Sequence, residues 1–302
     1  MASQRDVKNR IASVKNIQKI TRAMEMVAAA RLRRAEQRIA KLRPYAEAIR
    51  RMTYQAAKAA GAEASSFPLL SEHERVERVG LLLVTGDRGL AGAFNSQIIR
   101  AGVRAGAELA DEGLKAAWYA TGRRGVSSLT FRGRELSGSY TGFTDKPAYA
   151  DARNIADDLM SGYVDGKLDR VEILYNSYVS PLTQHVTRET LLPLAGSVLE
   201  GGDEEAEQGE SGPHPPQPLV EYEPGAAEIL QRLVPDYVEI SIYRALIEST
   251  AGFFGAQMTA MRNASENAGT LIEDYTLQMN RARQAEITQE IMEVVAGAEG
   301  LS

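Results

Sequence analysis

Residues 79–97 read VGLLLVTGDRGLAGAFNSQ. An apolar run leads into a glycine-rich turn, and a helix-like segment follows. A strand, a phosphate-cradling loop and a helix N-terminus would come in that order. The glycines are Gly86, Gly89 and Gly92, spaced G-x-x-G-x-x-G. A dinucleotide fingerprint needs G-x-G-x-x-G, and a P-loop needs Gly-Lys followed by Ser or Thr. Neither pattern is present, and Asp87 at the mouth of the turn is expected to repel a phosphate. The stretch is therefore expected to be a tight strand-to-helix connection that uses glycine for its geometry.

Other chemistry is equally hard to assemble. No G-x-S-x-G elbow and no H-E-x-x-H pair occurs. The three histidines, His73, His185 and His214, are scattered, and cysteine is absent. Neither a metal nor a cofactor is expected, and no residue is singled out as catalytic. His185 lies in a strand-like stretch and is expected to be a packed or edge histidine. No apolar run approaches eighteen residues and no signal-peptide pattern opens the chain. The expected location is the cytosol, against a membrane only through a partner.

The elements that would carry these residues are unequal in kind. Residues 3–58 contain one proline, Pro44, and no glycine. Apolar or small residues recur at spacings of 3 and 4 through Val7, Ile11, Val14, Ala28, Leu32, Ala35, Ile39, Leu42, Ala46 and Ile49, which makes a heptad seam. Between Val14 and Ala28 the seam carries Gln18, Thr21 and Glu25, while an apolar stripe shifts to Ile17, Ile20, Met24 and Val27. That stretch is expected to face something besides its helical partner. At the other end, Phe254, Met258, Met261, Ser265, Ala268, Ile272, Tyr275, Met279 and Ala282 keep the same spacing. Two such helices can pair only if the intervening chain folds back. The middle alternates strand-like segments (78–84, 115–120, 171–178, 185–192) with helix-like ones (95–111, 123–131, 148–164), which argues for a mainly parallel sheet.

The expected fold class is thus α/β: a long antiparallel coiled coil of N- and C-terminal helices plus a central Rossmann-like α/β domain. The expected boundaries are 1–60 for the first helix, 75–195 for the α/β domain and 225–302 for the last helix. Between them, residues 196–220 form an acidic Gly/Pro-rich segment, expected to be a disordered loop. Within it, 199–218 holds six acids, four glycines, four prolines and no Lys or Arg.

One chemical bias remains. Residues 1–58 carry 15 Lys/Arg against 4 Asp/Glu, although the whole chain has a net charge of −5. A basic helix can meet nucleic acid, an anionic membrane or an acidic protein. No aromatic residue interleaves with the arginines before Tyr45, and no helix-turn-helix or RNP pattern occurs. The stretch VAAARLRRA offers alanines where a membrane-binding face needs bulky anchors. A basic coiled-coil nucleic-acid-binding protein stays open as the alternative reading, and a nucleotide-dependent enzyme built on the middle domain as a third.

RIASVKNIQKITRAMEMVAAARLRRA (10–35) and RPYAEAI (43–49) resemble the first helix of the γ subunits of F-type ATP synthases, of the bacterial type. MRNASENAGTLIEDYTLQMNRARQAEITQEIMEVVAGA (261–298) resembles that family's final helix. GDRGLAGAFN resembles its central signature, usually written with Ser or Thr where Gly86 stands and cysteine where Ala91 stands. The resemblance spans nearly the whole chain. The lack of cysteine excludes the thiol switch of chloroplast members, and the 199–218 segment is longer than the family leads one to expect.

The resemblance implies a non-catalytic role as the central shaft of a rotary motor. The shaft joins the c-ring of Fo to the catalytic α3β3 hexamer, with the ε subunit as a further partner. Chemistry and nucleotides belong to the α and β subunits, and the location implied is peripheral, at the cytoplasmic face of the bacterial membrane. By the same resemblance, Arg283 and Gln284 would bond a β-subunit catch loop. Lys19, Arg22, Met24 and Arg88 would lie beside an acidic lever of β. Tyr222 and Glu223 would meet the c-ring, and the apolar tail 291–298 would turn in the collar of the hexamer.

Overall fold

The computed structural model describes residues 4–194 and 225–299. Helix α1 runs Gln4–Ala60 and passes through Pro44. A short 3-10 helix, Gly61–Ser66, follows it. The middle elements are β1 (Arg78–Val84), α2 (Phe94–Asp111), β2 (Lys115–Thr121), α3 (Arg123–Phe131), β3 (Leu136–Tyr140), α4 (Tyr149–Val164), β4 (Arg170–Tyr178) and β5 (Gln184–Leu192). The last described element, α5, spans Ala226–Glu299 and contains Pro235. The chain divides into two compact units, residues 1–30 with 257–302, and residues 31–256.

The larger unit is built on a five-stranded sheet in the order β3-β2-β1-β4-β5. The first four strands are parallel neighbours and β5 is an antiparallel edge. β1 has no polar side chain after Arg78 because both of its faces are covered, as a central parallel strand requires. Val79, Leu81 and Leu83 pack with Ile98, Leu109, Trp118 and Leu129 under α2 and α3. Leu82 and Val84 point the other way, into a core with Ile155, Leu159 and Tyr163 of α4 and with Leu230, Val238, Ile242 and Leu246 of α5. Ala56 and Ala57 of α1 close the same core. β3, LSGSY, is absent from the sequence reading because it alternates small and polar residues and is partly exposed throughout.

The smaller unit is an antiparallel pair of helical segments. Arg262 bonds Glu25 at 2.9 Å, and the Gln18 amide donates to the Ser265 carbonyl at 3.3 Å. The pairing partner rises in number as α1 falls, so the segments run in opposite directions. Val7, Ile11, Ala28, Met261 and Ala268 are buried along the seam. Knobs at spacings of 3 and 4 keep the two faces in register, which is why the sequence pattern reads through so directly.

Candidate interaction surfaces

In open parallel sheets a ligand crevice forms where strand order reverses, outside the carboxyl ends of the strands. Here that place lies between β1 and β4, at the end of the glycine-rich turn. It is filled from within the larger unit. Leu246, Ser249, Thr250 and Phe253 of α5 stand against Val84, Thr85, Gly86, Phe94 and Thr144, and leave about 10 Å³ of free space. A water molecule barely fits such a volume. A side chain on Gly86 would meet the Phe253 ring at 3.1 Å, so glycine here admits the helix rather than a phosphate.

Asp87 corrects the sequence reading in its physical detail. It does not stand at an open mouth. Its carboxylate accepts from the backbone N–H of Arg123 (3.1 Å), Gly142 (3.0 Å) and Thr144 (3.2 Å), and from the Thr144 hydroxyl (2.8 Å). Burial pushes the carboxyl up, but the donors on Gly142, Thr144 and Arg123 outweigh it and hold it below the ordinary value. The anion at the start of α3 is therefore supplied by the chain itself.

The outer face of the helical pair is a different kind of surface. Gln18 and Glu25 are half-buried and Thr21 is buried, so the polar residues do occupy the seam. The displaced apolar stripe points away from the partner segment: Ile17, Ile20 and Val27 are 52%, 59% and 52% exposed. Lys19 and Arg22 flank it in solvent, and Met24 is half-buried. A contiguous apolar stripe rimmed by cations is the signature of an interface.

Farther along α5 no described residue of α1 covers the helix. Ala282 is the last half-buried seam residue, and every described side chain from Arg283 to Ala296 is exposed. At about 1.5 Å per residue, the stretch 283–299 extends roughly 25 Å beyond the paired region. It presents Ile287, Ile291, Met292, Val294 and Val295 to solvent. Arg283 and Gln284 sit where the overhang begins.

In the larger unit, Arg88 is exposed and its Nε lies 3.3 Å from Asp145. Asp145 also meets Arg31 of α1 at 3.4 Å, and the Arg31 guanidinium stands 5.6 Å over the Phe254 ring. Arg34, Arg38 and Lys146 line the same cleft of about 300 Å³. One carboxylate thus sits among several cations, an arrangement suited to an acidic partner. Sequence reasoning identified Arg88 but missed Asp145. The pair is bridged across 57 residues, and no local pattern marks it.

Tyr222, Glu223 and the 199–218 segment lie outside the described residues. His185 falls on the edge strand β5 and is exposed, as the sequence reading expected. None of the helices among the described residues is long and apolar enough to cross a membrane.

Comparison with known proteins agrees with this geometry. A family model described as ATP synthase matches residues 3–301. The ATP synthase gamma chain of Rubrobacter xylanophilus is 44% identical, over 100% of this chain and 99% of its own length. That of Streptomyces avermitilis is 43% identical, over 100% and 97%. Among solved structures, a chain of the Euglena gracilis mitochondrial ATP synthase (OSCP, F1 and c-ring) aligns with a TM-score of 0.67. It is 16% identical and covers 99% of this chain and 94% of that one. A chain from the central stalk and c-ring structure of the Tetrahymena thermophila mitochondrial enzyme gives 0.59 at 23% identity, over 82% and 99%. At those identities the structural likeness establishes the fold. The nucleic-acid reading finds no support among these relatives.

Proposed function

Because the chain belongs to the ATP synthase gamma chain family, we propose that it is the central rotor shaft of an F1Fo ATP synthase. In this reading the paired helices turn inside an α3β3 hexamer and the α/β unit rides on the c-ring with the ε subunit. Rotation driven by protons then forces the catalytic β subunits through their conformations, and the chain itself performs no catalysis. The shaft works at the cytoplasmic face of a bacterial membrane and meets the membrane only through its partners.

The observation that carries this reading is the pair of outward surfaces on one helical unit: a stripe of Ile17, Ile20 and Val27 flanked by Lys19 and Arg22, and an unpaired apolar end on α5. A stand-alone protein would leave that apolar area in water at a cost of about 25 cal/mol per Å², whereas a shaft inside a collar buries it. The crevice that could have held a nucleotide is filled by α5, which supports a non-catalytic role.

Specific contacts follow the same logic. Arg283 and Gln284 bond a catch loop of β. Lys19, Arg22, Met24 and Arg88 engage an acidic lever of β, with Arg31, Arg34, Arg38 and Lys146 adding charge around Arg88. Tyr222 and Glu223 meet the c-ring. The test is coexpression with α and β subunits, followed by ATPase measurement on the purified complex. The chain is expected to copurify and to complete the ATPase, and Arg283→Ala with Gln284→Ala to lower the rate sharply. Unchanged hydrolysis in the double variant removes the catch assignment, and failure to copurify removes the rotor reading.

A further inference from the structure

The geometry points to the 142–145 loop as one joint that transmits torque between the sheet and the two long helices, with Asp87 as the positioning residue that keeps this joint stiff. The inference rests on the rotor reading and concerns only the larger unit. Apolar packing is non-directional and does not by itself set a bonding geometry. Hydrogen bonds and ion pairs fix relative position, so a twisting load is carried best where such bonds cross from sheet to helix.

Among the described residues, Ser249 reaches the Val84 carbonyl of β1 and Arg244 reaches Glu189 of β5, which tie α5 alone, while two groups of polar bonds reach both helices. At the end of β4, the Tyr178 hydroxyl donates to Glu36 of α1, while the Ser177 hydroxyl and Tyr178 N–H donate to Glu248 of α5. At the 142–145 loop, Asp145 pairs with Arg31 of α1, and the single proton of the Thr250 hydroxyl of α5 is shared between the Thr144 carbonyl (2.9 Å) and the Leu246 carbonyl of its own helix (2.8 Å). Each group therefore holds both helices. Arg31 and Thr250 lie within a few residues of the points where α1 and α5 leave the unit.

The two groups differ in their footing. The first rests on a strand inside the sheet, whereas the second rests on a loop between β3 and α4, which has no ladder of its own. Asp87 supplies the missing support. Its carboxylate takes the N–H groups of Gly142 and Thr144 and the Thr144 hydroxyl, and its own N–H donates to the same hydroxyl at 2.8 Å. The next residue, Arg88, pairs with Asp145. The loop is thereby pinned at both ends of its four residues to the turn that leaves β1. Without Asp87 the loop's footing among the described residues would be only the exposed Arg88 pair and the packing of Phe143 on the core.

Asp169 provides an internal comparison. It is likewise a carboxylate staple, accepting from the N–H groups of Glu77 and Arg78 and pairing with His73. None of those partners lies on α1 or α5. Asp87→Asn and Asp169→Asn should therefore both weaken the fold, but only the first should soften the joint.

The experiment is single-molecule rotation of the assembled α3β3γ complex, with a bead attached through one introduced cysteine, Glu112→Cys, on an otherwise cysteine-free chain. Angular fluctuation of the bead in the catalytic dwell reads torsional stiffness. Asp87→Asn is expected to broaden the angular distribution with ATPase retained, and Asp169→Asn to leave it unchanged. Asp145→Asn, which weakens the ties to both Arg31 and Arg88 while keeping the Asp87 staple, should broaden it too and serves if Asp87→Asn does not fold. Unchanged stiffness in Asp87→Asn, or in Asp145→Asn when that variant stands in for it, overturns the inference. Equal softening by Asp169→Asn reduces Asp87 to a structural role and overturns it as well. A wild-type chain that assembles and rotates leaves the rotor reading intact in either case, whereas one that does not assemble removes both.

Discussion

Arg262 of α5 lies 2.9 Å from Glu25 of α1, at a seam position where a heptad would place an apolar residue. The pair fixes the antiparallel register of the two segments and keeps Glu25 from being buried alone. Arg262 is half exposed, so the net energy is small, on the order of 1 kcal/mol or less. A double-mutant cycle with Glu25→Gln and Arg262→Gln, read by thermal melting at low and high salt, should give a small coupling that shrinks as salt rises. A large, salt-independent coupling would contradict this account.

Gly86 and Gly122 should fail differently when given a side chain. At Gly86 the neighbour is the Phe253 ring at 3.1 Å, which can shift a little. Gly122 has φ +79 and would place a Cβ 2.3 Å from the Thr85 carbonyl oxygen, which cannot move without breaking the strand end. Gly86→Ala is expected to cost about 1–3 kcal/mol as ordinary overpacking. Gly122→Ala should cost clearly more, since backbone strain adds to the clash. Urea denaturation ranks the two, and the reverse order would be wrong for this geometry.

Acid should weaken the α/β unit. The Asp87 and Asp169 carboxyls lie below their ordinary value of 3.8 in the folded chain. In both, burial opposes the shift and the donors to the carboxylate outweigh it. A depressed folded value means that the stabilisation is fully present above the unfolded value of about 3.9 and is lost as pH falls through the folded value. Stability measured from pH 6 to pH 2 should therefore drop steeply below about pH 4. Asp87→Asn should flatten part of that slope, and an unchanged slope would show that the Asp87 carboxyl titrates normally.

Core and outer-face positions should separate cleanly. Leu81 is fully buried between β2 and the helices above it. Leu81→Ala is expected to cost about 2–5 kcal/mol from lost transfer energy and the cavity left behind. Ile17→Ala, on the exposed stripe, should change the melting of the isolated chain by less than about 0.5 kcal/mol, yet weaken assembly with α and β subunits. If Ile17→Ala destabilised the free chain as strongly as Leu81→Ala, the stripe would be core rather than interface.

Much of this architecture was legible in the residues because it depends on period. The 3–4 spacing from Val7 to Ile49 and from Phe254 to Ala282 describes long helices packed along a seam, and the shift to Ile17, Ile20, Met24 and Val27 by itself points to a second face. The strand-like run at 78–84 is legible because a buried parallel strand is almost continuously apolar, and 171–178 because it is rich in β-branched and aromatic residues. β3 did not, because Leu136–Tyr140 is half-exposed and its pairing with β2 is decided by the sheet rather than by its own composition.

The candidate surfaces divide along the same line. Lys19, Arg22, Arg283 and Gln284 could be named in advance only through the family resemblance, position by position, because a motif keeps its place in the chain. Asp145, Thr144 and the role of Asp87 could not. They act through partners at separations of 36 to 114 residues, and only the folded sheet brings those partners within bonding distance. By itself the sequence determined two long helices, the α/β layer between them and the absence of a recognised nucleotide motif, because each is a local pattern of residue types. Tertiary structure alone decided that the crevice above the glycine turn is filled by α5 and that Asp87 holds the loop beside it, because both depend on which distant segments the sheet order places at the carboxyl end of β1.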